Sequence, residues 1–526
     1  MSFLFEMRRY LPAKSNPFKR KMAGSRLKMF RLPMTFLIFT IHQCKRVRFF
    51  FSVVFVALIF LFSFCTACRG EEYWRQQRGS EAGVASVIYN GNTMLREWHF
   101  KGKGKRRYEQ GITVWASPVI AVVDDVPMAF IGGCDNILYA LDLADKSVRW
   151  AKMTNGSIQD APVIGEVNGM KIVFWCSSDR FVYAHIAANG ERLWTREMIQ
   201  PTKTQGTAHM PSPLFHGGIL YVTFFVYDKA VPSYAQKSFL AALNAETGRL
   251  LWQEEIDNGP LSAPIGAEID GRFFVFIAAR KGVLRAYAVD EKKVEGIWQV
   301  QMPHEVMASP AIETNSHSPR LFLGSKFGDL IAFDARTGKK LWHKMTGNWV
   351  DNNACVSKVN GENVVFVGSH DYSLYALRTS DGFVMWKKSL GGEVYSAPCV
   401  FRNRQNLYVA AACLDNHLYV LDAVSGKIET AYFTGEPVWD KISKGENLWG
   451  SPAAVETRNG AFLVHGSYNG YVYVLPVEGE TSLRAKARNS LSLWISLAAA
   501  GIFFALFAIP IVLIWPNKHE NSKEQR

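Results

Sequence analysis

One pattern recurs along most of this chain, every 43 to 54 residues between residues 95 and 480. Each copy opens with a small residue and proline, continues through short apolar stretches separated by turn residues, and ends in glycine followed by tryptophan. Such a period indicates an architecture of stacked copies, because one copy cannot bury its own apolar face. The repeat therefore constrains the fold more than the length of 526 residues does, which alone would allow about three average domains.

The opening element of the repeat occurs eight times, and seven copies carry the proline. Proline at the first residue of a strand is one of the few sheet positions where a missing N–H is tolerated, so each copy is predicted to open a strand. The copies are Ala116-Ser117-Pro118, Asp160-Ala161-Pro162, Pro211-Ser212-Pro213, Ser262-Ala263-Pro264, Ala308-Ser309-Pro310, Asn353-Ala354-Cys355, Ser396-Ala397-Pro398 and Gly450-Ser451-Pro452.

The later part of each repeat reads as a hairpin and a closing strand. Turn residues such as Asp135-Asn136 precede a Leu-Tyr-Ala-Leu-Asp-like run, best preserved at residues 138–142 and 418–422. Short strands at this spacing predict an all-β fold, an eight-bladed β-propeller of four-stranded blades. Six repeats then close on a tryptophan, at Trp150, Trp194, Trp252, Trp298, Trp342 and Trp386.

The last repeat has no closing tryptophan of its own. Trp98 instead lies upstream of the first proline element, and the eighth repeat stops after Leu475. We therefore predict that the N-terminal strand around residues 95–100 completes the final blade and closes the ring, which removes exposed sheet edges.

The small-residue–Pro opening, the Tyr-Ala-Leu-Asp strand and the Gly-x-x-x-Trp ending resemble the repeat of the pyrroloquinoline-quinone (PQQ) family of β-propellers over roughly 385 residues. In outline the chain is similar to the propeller lipoproteins of that family that assist insertion of β-barrels into the outer membrane. It departs from them in its basic N-terminal tail, its C-terminal apolar segment and Cys65, which stands where a lipoprotein signal usually has leucine. The resemblance therefore implies the fold without carrying over a partner.

Apolar segments flank the repeats. Residues 49–67 carry no charge, residues 493–515 are apolar with Pro510 among them, and each run is long enough to cross a bilayer as a helix. Positive charge before the first segment predicts export, with the propeller on the extracytoplasmic (periplasmic, extracellular or luminal) side of a membrane. The first segment also fits a cleaved signal peptide, and the sequence leaves both interpretations open.

The predicted organisation is a basic tail (1–48), a signal anchor or signal peptide (49–68), a linker (69–94), the propeller (95–480), a linker (481–492), a transmembrane helix (493–515) and a short tail (516–526).

The net charge of +14 does not describe the propeller. Residues 1–48 hold twelve basic side chains and one acid, which leaves a net charge of only +3 for the other 478 residues. No basic stripe is needed to explain the composition, and an exported domain does not meet DNA. No nucleic-acid partner is predicted.

A catalytic interpretation was weighed against a binding one. The dehydrogenases of the PQQ family use calcium ligands, a carboxylate base, a tryptophan platform and in many cases adjacent cysteines, but this chain has neither adjacent cysteines nor a CxxCH haem motif. A tryptophan repeated once per blade indicates packing. We therefore predict a non-catalytic protein-binding or scaffolding module, with a PQQ- and calcium-dependent oxidoreductase as the alternative, and no cofactor or metal otherwise.

Five cysteines fall within the repeats, at Cys134, Cys176, Cys355, Cys399 and Cys413. Their odd number and apolar surroundings favour buried thiols that pack as small apolar side chains. Cys399 and Cys413 could also face each other across neighbouring strands, which the sequence leaves undecided.

The long loops fall on one predicted face. The turns between second and third strands and the links between blades must emerge on the same side, and all the long segments (101–114, 198–210, 227–238 and 433–448) belong to these two classes. Loops on a rigid scaffold are common binding sites, so a protein partner is predicted on this face.

Position within the repeat predicts which residues line the channel mouth. The residue three before each proline, or before Cys355, should ring the mouth, where it either receives a ligand or plugs the channel. These residues are Trp115, Gln159, Met210, Leu261, Met307, Asn352, Tyr395 and Trp449, with Asp160, His209 and Asp351 close by.

Five positive charges lie on one loop of the same face, at Lys101, Lys103, Lys105, Arg106 and Arg107, and suit an anionic lipid headgroup or an acidic protein surface.

Overall fold

The computed structural model describes residues 86–89, 98–101, 116–199, 205–228, 230, 237–314, 318–433, 451–457, 460–466 and 471–477. These residues form eight sheets arranged as the blades of a propeller, as the repeat predicts, and their strands are antiparallel apart from one parallel pair in the last blade. Among them no helix is long and apolar enough to cross a membrane. The apolar segments 49–67 and 493–515 lie outside the described residues, so their membrane-spanning character stays a prediction.

The first four blades follow one another along the chain. Blade three differs because two short segments, β11 and β12, share the innermost position and both pair with the ten-residue strand β13. The strands are β3 (Val119–Val123), β4 (Val126–Gly132), β5 (Ile137–Asp142) and β6 (Ser147–Met153) in blade one; β7 (Val163–Val167), β8 (Met170–Cys176), β9 (Phe181–Ile186) and β10 (Arg192–Glu197) in blade two; β11 (Gln205–His209), β12 (Leu214–His216), β13 (Ile219–Asp228), β14 (Lys237–Asn244) and β15 (Leu250–Asn258) in blade three; and β16 (Ile265–Ile269), β17 (Arg272–Ala279), β18 (Val283–Val289) and β19 (Val294–Gln301) in blade four.

The last four blades repeat the plan. Their strands are β20 (Ala311–Glu313), β21 (Arg320–Gly324), β22 (Asp329–Asp334) and β23 (Lys340–Met345) in blade five; β24 (Cys355–Val359), β25 (Glu362–Ser369), β26 (Ser373–Arg378) and β27 (Val384–Ser389) in blade six; β28 (Cys399–Asn403), β29 (Asn406–Ala412), β30 (His417–Asp422) and β31 (Ile428–Phe433) in blade seven; and β32 (Ala453–Thr457), β33 (Gly460–Gly466) and β34 (Tyr471–Pro476) in blade eight.

Two further strands from the N-terminal side lie in the sheet of blade eight. Strand β2 (Trp98–Lys101) pairs antiparallel with β34 and sets Trp98 opposite Val474. Strand β1 (Ser86–Tyr89) pairs parallel with β32 on the inner edge of the sheet and also contacts β3 and β28. The segment 69–94, expected to be a linker, therefore places one strand beside the central channel.

The innermost strands meet around the ring. Each contacts the innermost strand of the next blade, and β3 of blade one contacts both β7 of blade two and β32 of blade eight. The second strand of each blade is deeply buried, with Phe130, Phe174, Phe276, Phe322 and Phe366 fully or almost fully inaccessible. The core is thus a set of apolar layers between neighbouring blades.

The repeated tryptophan joins neighbouring blades. The indole Nε1 of Trp150 donates to the carbonyl of Ala187 at 2.9 Å, and that of Trp194 donates to Ala245 at 2.8 Å, in each case in the next blade. The repeated glycine makes room for the ring: a Cβ at Gly248 would lie 2.7 Å from the Trp194 ring, and the φ of +69° there suits glycine. The Gly-x-x-x-Trp ending therefore encodes contact between blades.

Backbone hydrogen bonds bring the two predicted loop classes to one face. In the link between blades one and two, Ser157 accepts from the N–H of Ser178, which lies in the turn between the second and third strands of blade two. Lys326 and Glu305 make the same contact farther round the ring, as do Leu414 and Glu393. This face therefore carries both the links between blades and the turns that follow each second strand.

The five cysteines of the blades are packed thiols. None is in a disulfide, and all but Cys134 are buried. Cys399 lies opposite Ala410 on the neighbouring strand, so it does not face Cys413 as the sequence allowed. Burial raises the pKa of the Cys355 thiol to about 11, which keeps it protonated and unreactive.

Candidate functional site

Strand pairing sets the register of the channel mouth and shifts it in blade six. Cys355 pairs with Phe366 as Val163 pairs with Phe174, so Cys355 is the first residue of its strand and Ala354 takes the place of proline. Aligning Cys355 with the prolines was therefore wrong by one residue. The predicted mouth position of blade six, three residues before Ala354, is therefore Asp351 and not Asn352.

In four of the links between blades, the predicted mouth residue follows a buried one. Ile158, Val306, Val350 and Val394 are almost fully buried and anchor the links. The residues that follow them are at least partly exposed, and they are Gln159, Met307, Asp351 and Tyr395. In blades three and four the counterparts Met210 and Leu261 are buried. Among the predicted mouth positions that the structure describes, the exposed or partly exposed ones therefore lie at blade two and at blades five to seven.

His370 is the centre of the polar groups there. It is only 3% exposed, and its Nε2 lies 2.6 Å from an Asp351 carboxylate oxygen. Its Nδ1 lies 3.8 Å from a carboxylate oxygen of Glu393, and its ring centroid is 3.9 Å from that of Tyr395. One buried imidazole therefore ties together two links that belong to different blades.

Further contacts connect His370 to residues near blade five. The Trp349 ring is 5.5 Å from that of His370, and the Lys326 ammonium lies 5.5 Å from the centre of the Trp349 ring. Lys326 also pairs with Glu305 at 3.3 Å. We name the seven residues the mouth cluster: Glu305, Lys326, Trp349, Asp351, His370, Glu393 and Tyr395.

Burial and neighbouring charges shift the pKa values of two side chains on this face, Tyr395 and His209. Burial, with the nearby carboxylates of Asp351 and Glu393, raises the pKa of the Tyr395 hydroxyl above its usual range. Burial lowers the pKa of His209, an effect that Asp160 opposes and Arg280 reinforces. The aromatic edge of the mouth cluster is therefore a neutral phenol, and His209 is held as a neutral imidazole.

The other residues predicted for the site have these positions. Gln159 is half-buried and donates its amide to Ser157 at 3.1 Å, and Asp160 and His209 are half-buried. Asn352 is buried and donates to the backbone carbonyls of Gly368 and Val394 at 3.1 and 2.8 Å, so it joins the second strand of blade six to the link before blade seven. Trp115, Trp449, Lys103, Lys105, Arg106 and Arg107 lie outside the described residues, and only the backbone of Lys101 is described, at the end of β2.

Sequence reasoning missed His370, Trp349 and Lys326. The signal was present in the turn after each second strand, where Ser178, Lys326, His370 and Leu414 occupy equivalent positions. Comparing these positions blade by blade would have singled out histidine, whereas counting scattered histidines did not. In each of these blades the turn residue donates its N–H to a carbonyl in the preceding link. For His370 that carbonyl belongs to Trp349, so the same comparison identifies Trp349.

The mouth cluster offers aromatic faces, three carboxylates, an ammonium and a buried histidine. Within the described part of the chain, no group of three His, Cys, Asp or Glu side chains is placed to hold a metal ion. Trp349 is 40% exposed beside a lysine and a histidine, an arrangement that suits contact with an aromatic or extended polar chain.

Comparison with known proteins places this fold in a family. The family model described as outer membrane protein assembly factor BamB matches residues 65–265, 178–353 and 326–490, a run without a gap from residue 65 to residue 490.

Two individual relatives match shorter parts of the chain than the family model does, and their names indicate different functions. The chain is 26% identical to the tetrathionate hydrolase of Acidithiobacillus ferrooxidans over 187 residues, which are 30% of this chain and 34% of that protein. It is 28% identical to the 1-butanol dehydrogenase (cytochrome c) of Thauera butanivorans over 127 residues, which are 23% of this chain and 18% of that protein. The chain thus matches about a third or less of the length of either curated relative.

A solved structure extends the likeness in fold. A europium-containing methanol dehydrogenase superposes with a TM-score of 0.53 and 14% identity, over 76% of this chain and 90% of that one. At that identity the likeness concerns the propeller alone.

Proposed function

We propose, from the premise that this chain belongs to the BamB family of PQQ-type propellers, that it is a non-catalytic module that binds a protein partner in envelope protein assembly. The propeller is anchored to a membrane by its apolar segments and lies on the extracytoplasmic side. The mouth cluster is the contact surface, and its exposed Trp349 is the observation that carries the proposal.

The chemistry of the mouth cluster supports a protein ligand. Aromatic side chains held by a rigid scaffold are favoured at protein interfaces because they bury a large area with little loss of conformational entropy. The buried His370 fixes the Tyr395 ring at 3.9 Å, so this aromatic face is preorganised. Lys326 and Glu305 add a polar rim that sets orientation.

The N-terminal side completes the proposal. Strand β2 places Trp98 opposite Val474, the register that Trp150 has opposite Ala140, which supports a latch that closes blade eight. Lys101 ends this latch, and further basic residues follow it in the sequence, at Lys103, Lys105, Arg106 and Arg107. Together they meet anionic lipid headgroups or an acidic partner.

Removing both aromatic side chains of the mouth cluster is expected to abolish partner capture. The full chain with Trp349→Ala and Tyr395→Ala, used as bait in crosslinking from source membranes, should lose the partner that the unchanged chain retains. The loss follows because the double variant removes the two aromatic anchors of the interface.

The matched control for this test lies on the opposite face of blade six. Phe383 is 60% exposed in the turn between the third and fourth strands, so Phe383→Ala should capture normally. Circular dichroism and thermal melting establish that all variants are folded. Equal capture by the double variant and the unchanged chain would remove the mouth cluster as the site.

An oxidoreductase dependent on PQQ and calcium is the second candidate. The match to a 1-butanol dehydrogenase favours it, although only 23% of this chain is covered. We expect the purified full chain, mixed with PQQ and calcium, to show neither stoichiometric binding in its absorption spectrum nor dye reduction with alcohols. Tight binding with dye reduction would overturn the scaffold proposal.

A further inference from the structure

A cavity of about 360 Å³ opens between the outer strand of blade one and the sheet of blade two, away from the mouth cluster. Strand β6 of blade one supplies one wall, and strands β8, β9 and β10 of blade two supply the rest. This volume falls in the range of sites for small molecules. The six lining residues are Lys152, Met153, Trp175, Tyr183, His185 and Arg192.

Two of the lining residues depart from the repeat. Strand pairing places Trp175 where six of the other seven blades carry an aliphatic residue, for example Ile131 and Ile277. His185 stands where the other seven blades carry an apolar or aromatic residue, namely Leu141, Leu243, Tyr287, Phe333, Leu377, Leu421 and Leu475. A core position that holds a histidine in one copy alone has a local reason.

Both departures bring polar atoms into an apolar layer without satisfying them. Within the described residues, Trp175 Nε1 and His185 Nδ1 are buried and have no hydrogen-bond partner, and both side chains are at least nine-tenths buried. The Trp175 ring stacks on Tyr183 at 5.2 Å and lies 4.7 Å from the His185 ring. Buried polar atoms are normally paired, so this layer of blade two is not packed as a purely apolar core.

The cavity carries positive charge and no acidic residue among those that line it. Arg192 lies directly opposite His185 in the sheet. Lys152 reaches across from blade one, and its Cε would be 2.9 Å from a β-carbon at Gly190 of blade two. Neither cation is in an ion pair with a carboxylate among the residues that the structure describes.

We propose that this cavity binds a small organic anion, a carboxylate carried on an apolar body. The carboxylate accepts hydrogen bonds from Lys152 and Arg192, and the apolar body packs beside Met153 and the aromatic stack. An ammonium and a guanidinium attract the anion, and the guanidinium orients a carboxylate through two parallel bonds. A free organic acid and the carboxyl terminus of a peptide both supply this chemistry.

The first test compares acid with amide. Titration calorimetry of the full chain in detergent with N-acetylphenylalanine should show saturable binding, and N-acetylphenylalaninamide should bind at least about tenfold more weakly because it lacks the charge. A phenylalanine-terminated tripeptide distinguishes the sources: binding equal to that of the acid assigns a peptide terminus, and exclusion assigns a free acid. Absence of saturable binding of the acid, or equal binding of acid and amide, overturns the proposal.

Paired variants locate the binding. Lys152→Gln with Arg192→Gln should weaken binding of the acid about tenfold or more. Lys340→Gln with Lys344→Gln is the matched control, because these exposed lysines occupy the equivalent positions in blade five and face Phe333 and Leu330. Equal loss in both pairs would assign a general charge effect and contradict the cavity.

One substitution separates binding from folding. His185→Leu restores the residue of five other blades and removes a buried nitrogen without a partner, so the melting temperature should hold or rise while binding of the acid falls. Retained binding in this variant would show that the histidine does not belong to the site.

Discussion

Trp194→Ala is expected to lower the free energy of unfolding by about 3–5 kcal/mol, the range for a large aromatic side chain removed from a core. Trp194 is 8% exposed, packs 5.9 Å from the Phe174 ring and donates to the carbonyl of Ala245 in the next blade. The substitution empties one contact between blades and leaves that carbonyl without its donor. Urea denaturation followed by circular dichroism should show the midpoint moving to lower denaturant.

Two further variants assign this loss to the contact between blades. Gly248→Ala disturbs the same contact from the neighbouring blade, because the new Cβ would lie 2.7 Å from the Trp194 ring at a φ that disfavours alanine. This substitution should therefore also lower the free energy of unfolding. Trp349→Ala is the matched tryptophan control, since Trp349 is 40% exposed on the loop face, and its effect should stay under about 1 kcal/mol. Comparable losses for Trp194 and Trp349 would contradict the packing role.

Asp329→Ala is expected to cost about 2–3 kcal/mol, in line with the loss of hydrogen bonds to a buried charged group. The Asp329 carboxylate is almost fully buried in blade five and is bonded by His304 Nδ1 at 2.7 Å, by His343 Nε2 at 2.8 Å and by the Ser325 hydroxyl. Its removal leaves three polar groups from three elements without their shared acceptor. The free energy of unfolding at neutral pH, taken from urea curves, measures the effect.

The pH dependence of stability gives Asp329 a second signature. Burial raises the pKa of this carboxyl, but the bonds from Ser325, His304 and His343 together hold it below its usual value. A depressed carboxyl pKa means that the unfolded chain takes up the proton first as pH falls. The stabilisation is therefore complete above the ordinary carboxyl pKa of about 4 and is lost below it.

The Asp329→Ala variant should lack this share of the acid-induced loss. Asp381→Asn is the matched control, because Asp381 pairs with Arg378 at an exposed turn and should change the acid limb far less. An unchanged acid limb in Asp329→Ala would show that the carboxylate is not the group that titrates.

The repeat alone predicted the fold class and the blade count. Proline elements, turn residues and closing tryptophans mark each unit locally, and the PQQ-type resemblance is confirmed by a family match from residue 65 to residue 490. Local pattern sufficed because every blade makes the same contacts with the next, as Trp150 and Trp194 do. The register of blade six failed because alanine replaces proline there, and only the pairing of Cys355 with Phe366 revealed it.

Asp351 and Tyr395 are the residues named from the sequence that belong to the mouth cluster, and the binding role of that cluster stays a prediction. The loop face and Tyr395 follow from counting strands, whereas His370 and Trp349 come from turns and links that belong to different parts of the repeat. Their proximity depends on the backbone hydrogen bond from the N–H of His370 to the carbonyl of Trp349, a contact that recurs at the same repeat positions in other blades. Trp115 and Trp449 remain predictions, as do the membrane anchors.

The sequence by itself determined the repeating unit and the number of blades, because these depend on contacts within about 50 residues of chain. Only the tertiary structure decided which side chains meet between blades. His370 finds Asp351 and Tyr395, and Trp175 and His185 meet Lys152, across gaps that the curvature of the ring closes. The physical reason is that every blade forms from the same local sequence pattern, whereas the side chains that meet between neighbouring blades come from separate parts of the chain.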